Sequence, residues 1–229
     1  MSEEVRIMFS EISESYDKMN DLFTFNMHNG WKKKLVKLSN AKAGDKVLDC
    51  ASGTGDLAFE FKKVVGDSGK VLATDFCDDM LKYVEPKGEK LDLKVEVEFA
   101  DAMNLHYEDN SFDIVSISYG IRNVDDTPTA LKEMARVLKP GGKIAILETG
   151  QPSKWLRPFF GIMTKFLMPL MGKLIAGNKS AYEYLSESSM EYPYGKEFLK
   201  ILMDTGKFKN PISKPMFMGA SYIYIATIK

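Results

Sequence analysis

The chain has 229 residues, with 31 Lys and Arg against 32 Asp and Glu, for a net charge of −1. A domain of this length buries roughly 70–75% of its unfolded surface, so a core can form without disulfide or metal staples, and the near-neutral charge excludes a global electrostatic grip on nucleic acid. The two cysteines, Cys50 and Cys77, form no CxxC and stand near no histidine cluster, which argues for buried thiols in a reducing compartment and against a metal site.

The first segment, MSEEVRIMFSEISESYDKMN, is acidic and lacks the apolar core of a signal peptide. No run of about 18 apolar residues follows. The expectation is therefore a cytoplasmic protein without a spanning helix. Residues 1–40 read as helices ahead of the first strand, in which Tyr16 and Met19 either close over a ligand as a lid or pack on the sheet. Lys32, Lys33 and Lys34 form a basic cluster, either a solvated helix face or an aid to surface binding.

From position 46 short β-rich runs alternate with helical stretches. Strands are expected at 46–51, 70–75, 94–100, 112–118 and 143–149, and helices at 55–65, 78–84 and 127–138. Such alternation predicts a mostly parallel sheet covered on both faces, with residues 41–150 as its ligand-binding core. Residues 151–210 interrupt the pattern as an insert rich in Met and Phe, and 211–229 hold the closing strands, SYIYIATIK (221–229) the final one. The insert is expected over the carboxyl edge of the sheet, where open α/β sheets bind ligands. All of it reads as one domain.

GTGDLA at 53–58 satisfies G-x-G-x-x-G/A, and Asp75 lies 20 residues beyond Gly55 at the end of the second strand. A dinucleotide-binding turn shows the same spacing, so the flanking acids decide. A pyrophosphate here would face Asp49 or Asp56, and like charges at about 4 Å repel by roughly 4 kcal/mol at an effective dielectric near 20. S-adenosylmethionine brings an ammonium, a sulfonium and an adenosine instead. An acid at Asp49 suits the cations, Asp75 can accept from both ribose hydroxyls, and Gly53 and Gly55 let backbone approach the methionyl part. Asp49 is alternatively a turn cap, and Asp56 a helix N-terminal acid. Asp101 closes the third strand region and can accept from the adenine amine, with Ala102 beside it; Met103 either sandwiches the ring or belongs to the core.

VLDCASGTGD, ATDFCDDML, ADAMNLHYEDNSFD and RVLKPGG together resemble a class I S-adenosylmethionine-dependent methyltransferase. FSEISESYDKMNDLFTFNMHNGWKKKLV (9–36), SYGIRNVDD (118–126) and AYEYLSESS (181–189) narrow the resemblance to the ubiquinone/menaquinone-biosynthesis C-methyltransferases, over nearly the whole chain. The pattern departs at His106, where Pro is usual, and in the final residues. The resemblance implies a Rossmann-like α/β fold, a mostly parallel seven-stranded sheet with an antiparallel C-terminal strand. It implies S-adenosylmethionine contacts at Thr54, Asp75, Asp101, Ala102 and Ser118; Tyr16, in its reading as a lid, is a further cofactor contact expected from the sequence itself. It places Arg122 and Asn123 against a prenylated quinol whose ring carbon is methylated.

A ring carbon becomes nucleophilic once the neighbouring hydroxyl loses its proton. Arg122 suits stabilisation of that oxyanion, or else a structural salt bridge. Asn123 would fix the other ring oxygen, and a water, Tyr16, Asp17 or His28 would take the proton. Residues 155–178 are apolar but broken by Pro158, Pro169, Lys165 and Lys173, too interrupted to span a bilayer. They are a greasy cover for a prenyl tail, with peripheral membrane contact, or an ordinary helical cap. A homodimer is left open. The competing readings are a methyltransferase for another small molecule and a dinucleotide-binding protein.

Overall fold

The computed structural model describes residues 2–229. Three helices precede the sheet: α1 (Glu3–Ile12), α2 (Tyr16–Thr24) and α3 (Met27–Ser39). Ser2 caps the first, accepting from the Val5 amide. Alternating elements follow: β1 (Lys46–Cys50), α4 (Asp56–Val65), β2 (Lys70–Asp75), α5 (Asp78–Leu81), α6 (Val84–Leu91), β3 (Glu96–Phe99), β4 (Phe112–Ser118), α7 (Thr127–Val137) and β5 (Leu138–Thr149).

The insert holds α8 (Arg157–Ile162), α9 (Met168–Met171), α10 (Lys179–Glu191) and α11 (Lys196–Asp204), and the chain ends in β6 (Phe208–Met216) and β7 (Ser221–Ile228). The seven strands lie in the order β3-β2-β1-β4-β5-β7-β6. β1 to β5 pair in parallel, while β7 is antiparallel to both β5 and β6.

Both faces are covered, which is why β1 and β4 read as unbroken apolar runs. Leu35 and Val36 of α3 and Leu57, Ala58 and Phe61 of α4 pack on one face. Leu131 and Met134 of α7 and Phe198 and Leu202 of α11 pack on the other. Thus α11, inside the stretch expected as a substrate-side insert, belongs to the layer that covers the sheet.

Three expectations need correction. β5 begins at Leu138 rather than 143, its early part shifted in register against β4. β6 begins at Phe208, within the predicted insert; it is an edge strand that accommodates Pro215 and shifts register against β7 between Lys209 and Ile212, where Pro211 falls, and its polar residues face water. Most importantly, Arg157–Ala176 is a continuous 20-residue helical segment, by length and composition sufficient to cross a membrane. The sequence suggested a broken segment. The chain instead passes its prolines by entering a π-helical turn at Met163–Leu167 before Pro169 and another at Gly172–Ala176 after it.

Candidate functional site

The carboxyl ends of β1, β2, β4 and β5 converge on one edge of the sheet. After Cys50 the chain turns through Ala51, Gly53 and Gly55, with φ of 46°, 58° and 86°, before α4 begins. A Cβ on Gly55 would sit 3.1 Å from Phe59 and from Val84, so glycine is required by conformation and by space. Asp75, at the end of β2, ties down the turn: Gly53 N donates to its Oδ2 at 2.8 Å and Cys77 N to its Oδ1 at 2.9 Å. Asp49, at the end of β1, accepts from Ser116 Oγ and Ser52 Oγ, each at 2.6 Å. Burial pushes both carboxyls up to about 6, against the lowering effect of these hydrogen bonds.

Two cavities open on this edge. The larger, about 210 Å³, runs from Asp49, Gly53 and Thr54 to Arg122 and Thr149, and is walled by Phe160, Met163 and Met168 of the insert. The smaller, about 50 Å³, is lined by Asp75, Phe76, Met80, Asp101, Ala102 and Asn123, among others. Tyr16, Ala51, Gly53, Ser118 and Tyr119 line both. Two of these, Ala51 (φ 46°) and Tyr119 (φ 56°), are non-glycine residues held in the left-handed region, strain of the kind that gathers at ligand sites.

Arg122 follows β4 in a short 3₁₀ turn and is buried. Its Nη1 donates to Glu148 Oε1 at 2.8 Å and to the Tyr119 carbonyl at 2.5 Å. Glu148, at the end of β5, is fully buried. Burial would lower the Arg122 pKa, but Glu148 outweighs it and the net direction is upward. The guanidinium is therefore a fixed cation in the cavity wall. Its Nε has no hydrogen-bond partner, and neither do the Ser118 and Thr149 hydroxyls in the same wall. Unsatisfied buried donors are costly; all three atoms lie just beneath the cavity surface, and an oxygen-bearing ligand would meet them only after the side chains shift.

A polar clasp closes the other side. Lys87 Nζ reaches Asp17 Oδ2 and Asp56 Oδ1, each at 2.6 Å, and Thr54 Oγ1 at 2.9 Å. Thr54 Oγ1 donates to Asp17 Oδ1 at 2.6 Å, and Lys32 Nζ meets Asp56 Oδ2 at 2.7 Å. Burial alone would raise Asp56, but Lys32 and Lys87 hold it well below the usual range. The clasp ties α2 and α3 to the glycine turn.

Most of the expected site residues come together here. Asp49, Gly53, Thr54, Ser118, Arg122 and Tyr16 line the larger cavity, and Asp75, Asp101 and Ala102 the smaller. Gly55 does not line either; it shapes the turn. Asn123 was expected beside Arg122 at the acceptor. It lines the smaller cavity instead, its Nδ2 donating to the Tyr119 carbonyl and its Oδ1 accepting from Tyr184, each at 3.4 Å. The 3₁₀ turn sends consecutive side chains to different sides.

Met103 packs against the core, and Phe76, which the sequence reading did not single out, lines the smaller cavity. Met19 is core rather than lid. Lys32 is buried against Asp56, not part of a basic surface. Because Asp56 is neutralised by two lysines, the argument against a pyrophosphate rests on Asp49 alone, whose partners are hydroxyls. Glu148, Thr149, Tyr119 and Lys87 escaped the sequence reading. The one signal for Glu148 was an acid at the end of an otherwise apolar strand.

Residues 1–227 match the ubiE/COQ5 methyltransferase family. The ubiquinone/menaquinone biosynthesis C-methyltransferase UbiE of Bdellovibrio bacteriovorus is 47% identical over 229 residues, covering 98% of this chain and 96% of its own. The demethylmenaquinone methyltransferase of Staphylococcus aureus is 42% identical over 209 residues, covering 91% and 86%. Among solved structures, a SAM-dependent methyltransferase from Aquifex aeolicus superposes with a TM-score of 0.63 at 22% identity, over 86% of this chain and 89% of its own. Phosphoethanolamine N-methyltransferase 2 of Haemonchus contortus, in complex with S-adenosyl-L-methionine, does so with a TM-score of 0.63 at 18% identity, over 87% and 52%. These likenesses carry the fold, a class I methyltransferase fold as the sequence implied, and with the full-length match they show that the chain belongs to the ubiE/COQ5 methyltransferase family.

Proposed function

We propose that this methyltransferase transfers a methyl group from S-adenosylmethionine to a ring carbon of a prenylated quinol, of the demethylmenaquinol or ubiquinone-precursor type. The observation that carries the reading is the buried Arg122 cation with an unpartnered Nε in the wall of a largely apolar cavity, next to a second cavity edged by acids.

The residues fit the cofactor. Asp75 keeps lone pairs for the ribose hydroxyls, Phe76 and Ala102 offer apolar faces to adenine, and Asp101 can accept from its amine. Asp49 and the unpartnered Ser118 hydroxyl would meet the methionyl end. Bound there, S-adenosylmethionine supplies an electrophilic methyl group on a sulfonium. Residues shared by both cavities would align donor and acceptor, and alignment of this kind supplies roughly 7–11 kcal/mol.

On the acceptor side Arg122 would hold the quinol oxygen as an oxyanion through Nε. Glu148 keeps the guanidinium in place from behind. Tyr16, pushed up to about 12 by burial, is a donor rather than a base. His28, in the larger cavity, is pushed down to about 4 by burial and Lys32, too weak a base for a phenol of pKa about 10. Asp17 is held by Lys87 and Thr54. These assignments leave the proton to water, with Arg122 lowering the cost of its departure. The net reaction forms one carbon–carbon bond, breaks the sulfonium–methyl bond and releases one proton.

The test is transfer of labelled methyl to a short-tailed demethylmenaquinone, with and without prior reduction. Label that appears only after reduction supports the quinol and its oxyanion. No label, in protein that binds S-adenosylmethionine, would move the acceptor to another small molecule.

A further inference from the structure

The helical segment Arg157–Ala176 has two faces with different work. Phe160, Met163, Thr164 and Met168 line the larger cavity. On the outside, Trp155, Phe159, Ile162, Phe166, Leu170 and Leu174 recur every three or four residues as one stripe. They are 70%, 64%, 63%, 70%, 52% and 74% exposed, respectively. A contiguous apolar surface of this kind marks a binding face.

Charge narrows the occupant. Residues 154–176 carry Lys154, Arg157, Lys165 and Lys173 and no acid, in a protein whose net charge is −1. Exposed aromatic and aliphatic side chains interleaved with lysines and arginine match an anionic lipid surface, where basic heads meet phosphates and their stems follow the apolar face. A second copy fits less well, since a two-fold contact would set four cations against four. The segment cannot span a bilayer and also wall the cavity: Pro169 and Gly172 are buried, and Gly172 lies against the Tyr182 ring of α10.

We propose that the outer face of residues 154–176 is a docking surface for an anionic bilayer, with the helix lying in the interface plane. The acceptor cavity is then one helix away from the lipid that dissolves a prenyl tail. The proposal rests on the reading of that cavity as a quinol site, and the experiment separates the two.

Full-length protein is floated with phosphatidylcholine vesicles with and without about 30 mol% phosphatidylglycerol, at salt from about 0.1 M to about 1 M. Binding is expected with the anionic vesicles and is expected to weaken at least several-fold at high salt. Brominated acyl chains should quench a fluorescence component that is missing in Trp155→Phe. The double variant Phe159→Ser/Phe166→Ser should lose flotation about tenfold. It should keep its melting temperature and its methyl transfer to a water-soluble short-tailed acceptor, yet fall about tenfold on a long-tailed acceptor in vesicles.

Folded wild-type protein that stays off anionic vesicles would overturn the proposal. So would binding that leaves Trp155 unquenched, or a solution mass of twice 25.8 kDa that the double variant returns to a monomer. Flotation that follows these expectations in a protein without transfer to any reduced quinone supports the surface and removes the acceptor reading.

Discussion

If Asp49 meets the cationic end of S-adenosylmethionine as proposed, cofactor binding should depend on pH, and the size of the effect follows from the surroundings of its carboxyl. Its carboxyl is buried behind Ser52 and Ser116 and pushed up to about 6 from the usual 3.8. At pH 7 it is about nine-tenths ionised, and at pH 5 about nine-tenths protonated. If the cationic end of S-adenosylmethionine needs the carboxylate, affinity should fall about tenfold from pH 7 to pH 5, or about 1.4 kcal/mol. Binding at pH 6 should release about half a proton. Asp75, also pushed up to about 6, would steepen both effects.

Isothermal titration calorimetry in buffers of different ionisation enthalpy reads affinity and proton release together. Asp49→Asn should bind weakly and lose most of the pH dependence. An affinity constant within twofold across pH 5–7, with no buffer-dependent heat, would refute the reasoning. The same shifts fix the sign for stability. Groups raised above their unfolded values destabilise the ligand-free fold above pH 6, and that penalty disappears as pH falls from 6 to about 4. Asp56, held low by Lys32 and Lys87, works the opposite way: its contribution is present above about pH 4 and is lost below.

Four other outcomes are expected. Glu148→Gln leaves the buried Arg122 without its counter-charge. Breaking such a pair costs about 3–5 kcal/mol, and the lower end is expected in urea unfolding because glutamine keeps an acceptor. Arg122→Lys should leave S-adenosylmethionine affinity within a few-fold and lower kcat about a hundredfold, since lysine lacks the Nε–H beside Nη1; unimpaired turnover would take Arg122 out of catalysis. Lys87→Met removes the tie among Asp17, Thr54 and Asp56, and limited proteolysis should cut the segment before β1 several-fold faster. Gly55→Ala combines a positive φ with 3.1 Å approaches to Phe59 and Val84 and should cost about 2–4 kcal/mol in thermal or urea unfolding.

Strands β1, β2 and β4 were legible within a residue, because buried parallel strands are short, dense runs of branched apolar residues bounded by turns. The start of the edge strand β6 was not, because most of its residues face water and two are proline. The 157–176 segment was read as helical but broken because proline removes a helix hydrogen bond locally; π-turns at Met163–Leu167 and Gly172–Ala176 keep it continuous. Asn123 was read as a companion of Arg122 because they are adjacent in sequence, and a 3₁₀ turn separates their side chains.

By itself, the order of residues determined which acids end which strands and where glycine must turn the chain, since both depend on neighbours a few positions away. Only the tertiary structure decided what those acids meet. β4 lies between β1 and β5, which sets Ser116 beside Asp49 in register and brings Glu148 to Arg122. The packing of α2, α3 and α6 gathers Asp17, Lys32 and Lys87 around Asp56. These partners are 24 to 70 positions apart in the chain. Local propensity has no reach over such distances; the strand order and the burial it imposes decide which charges must find one another.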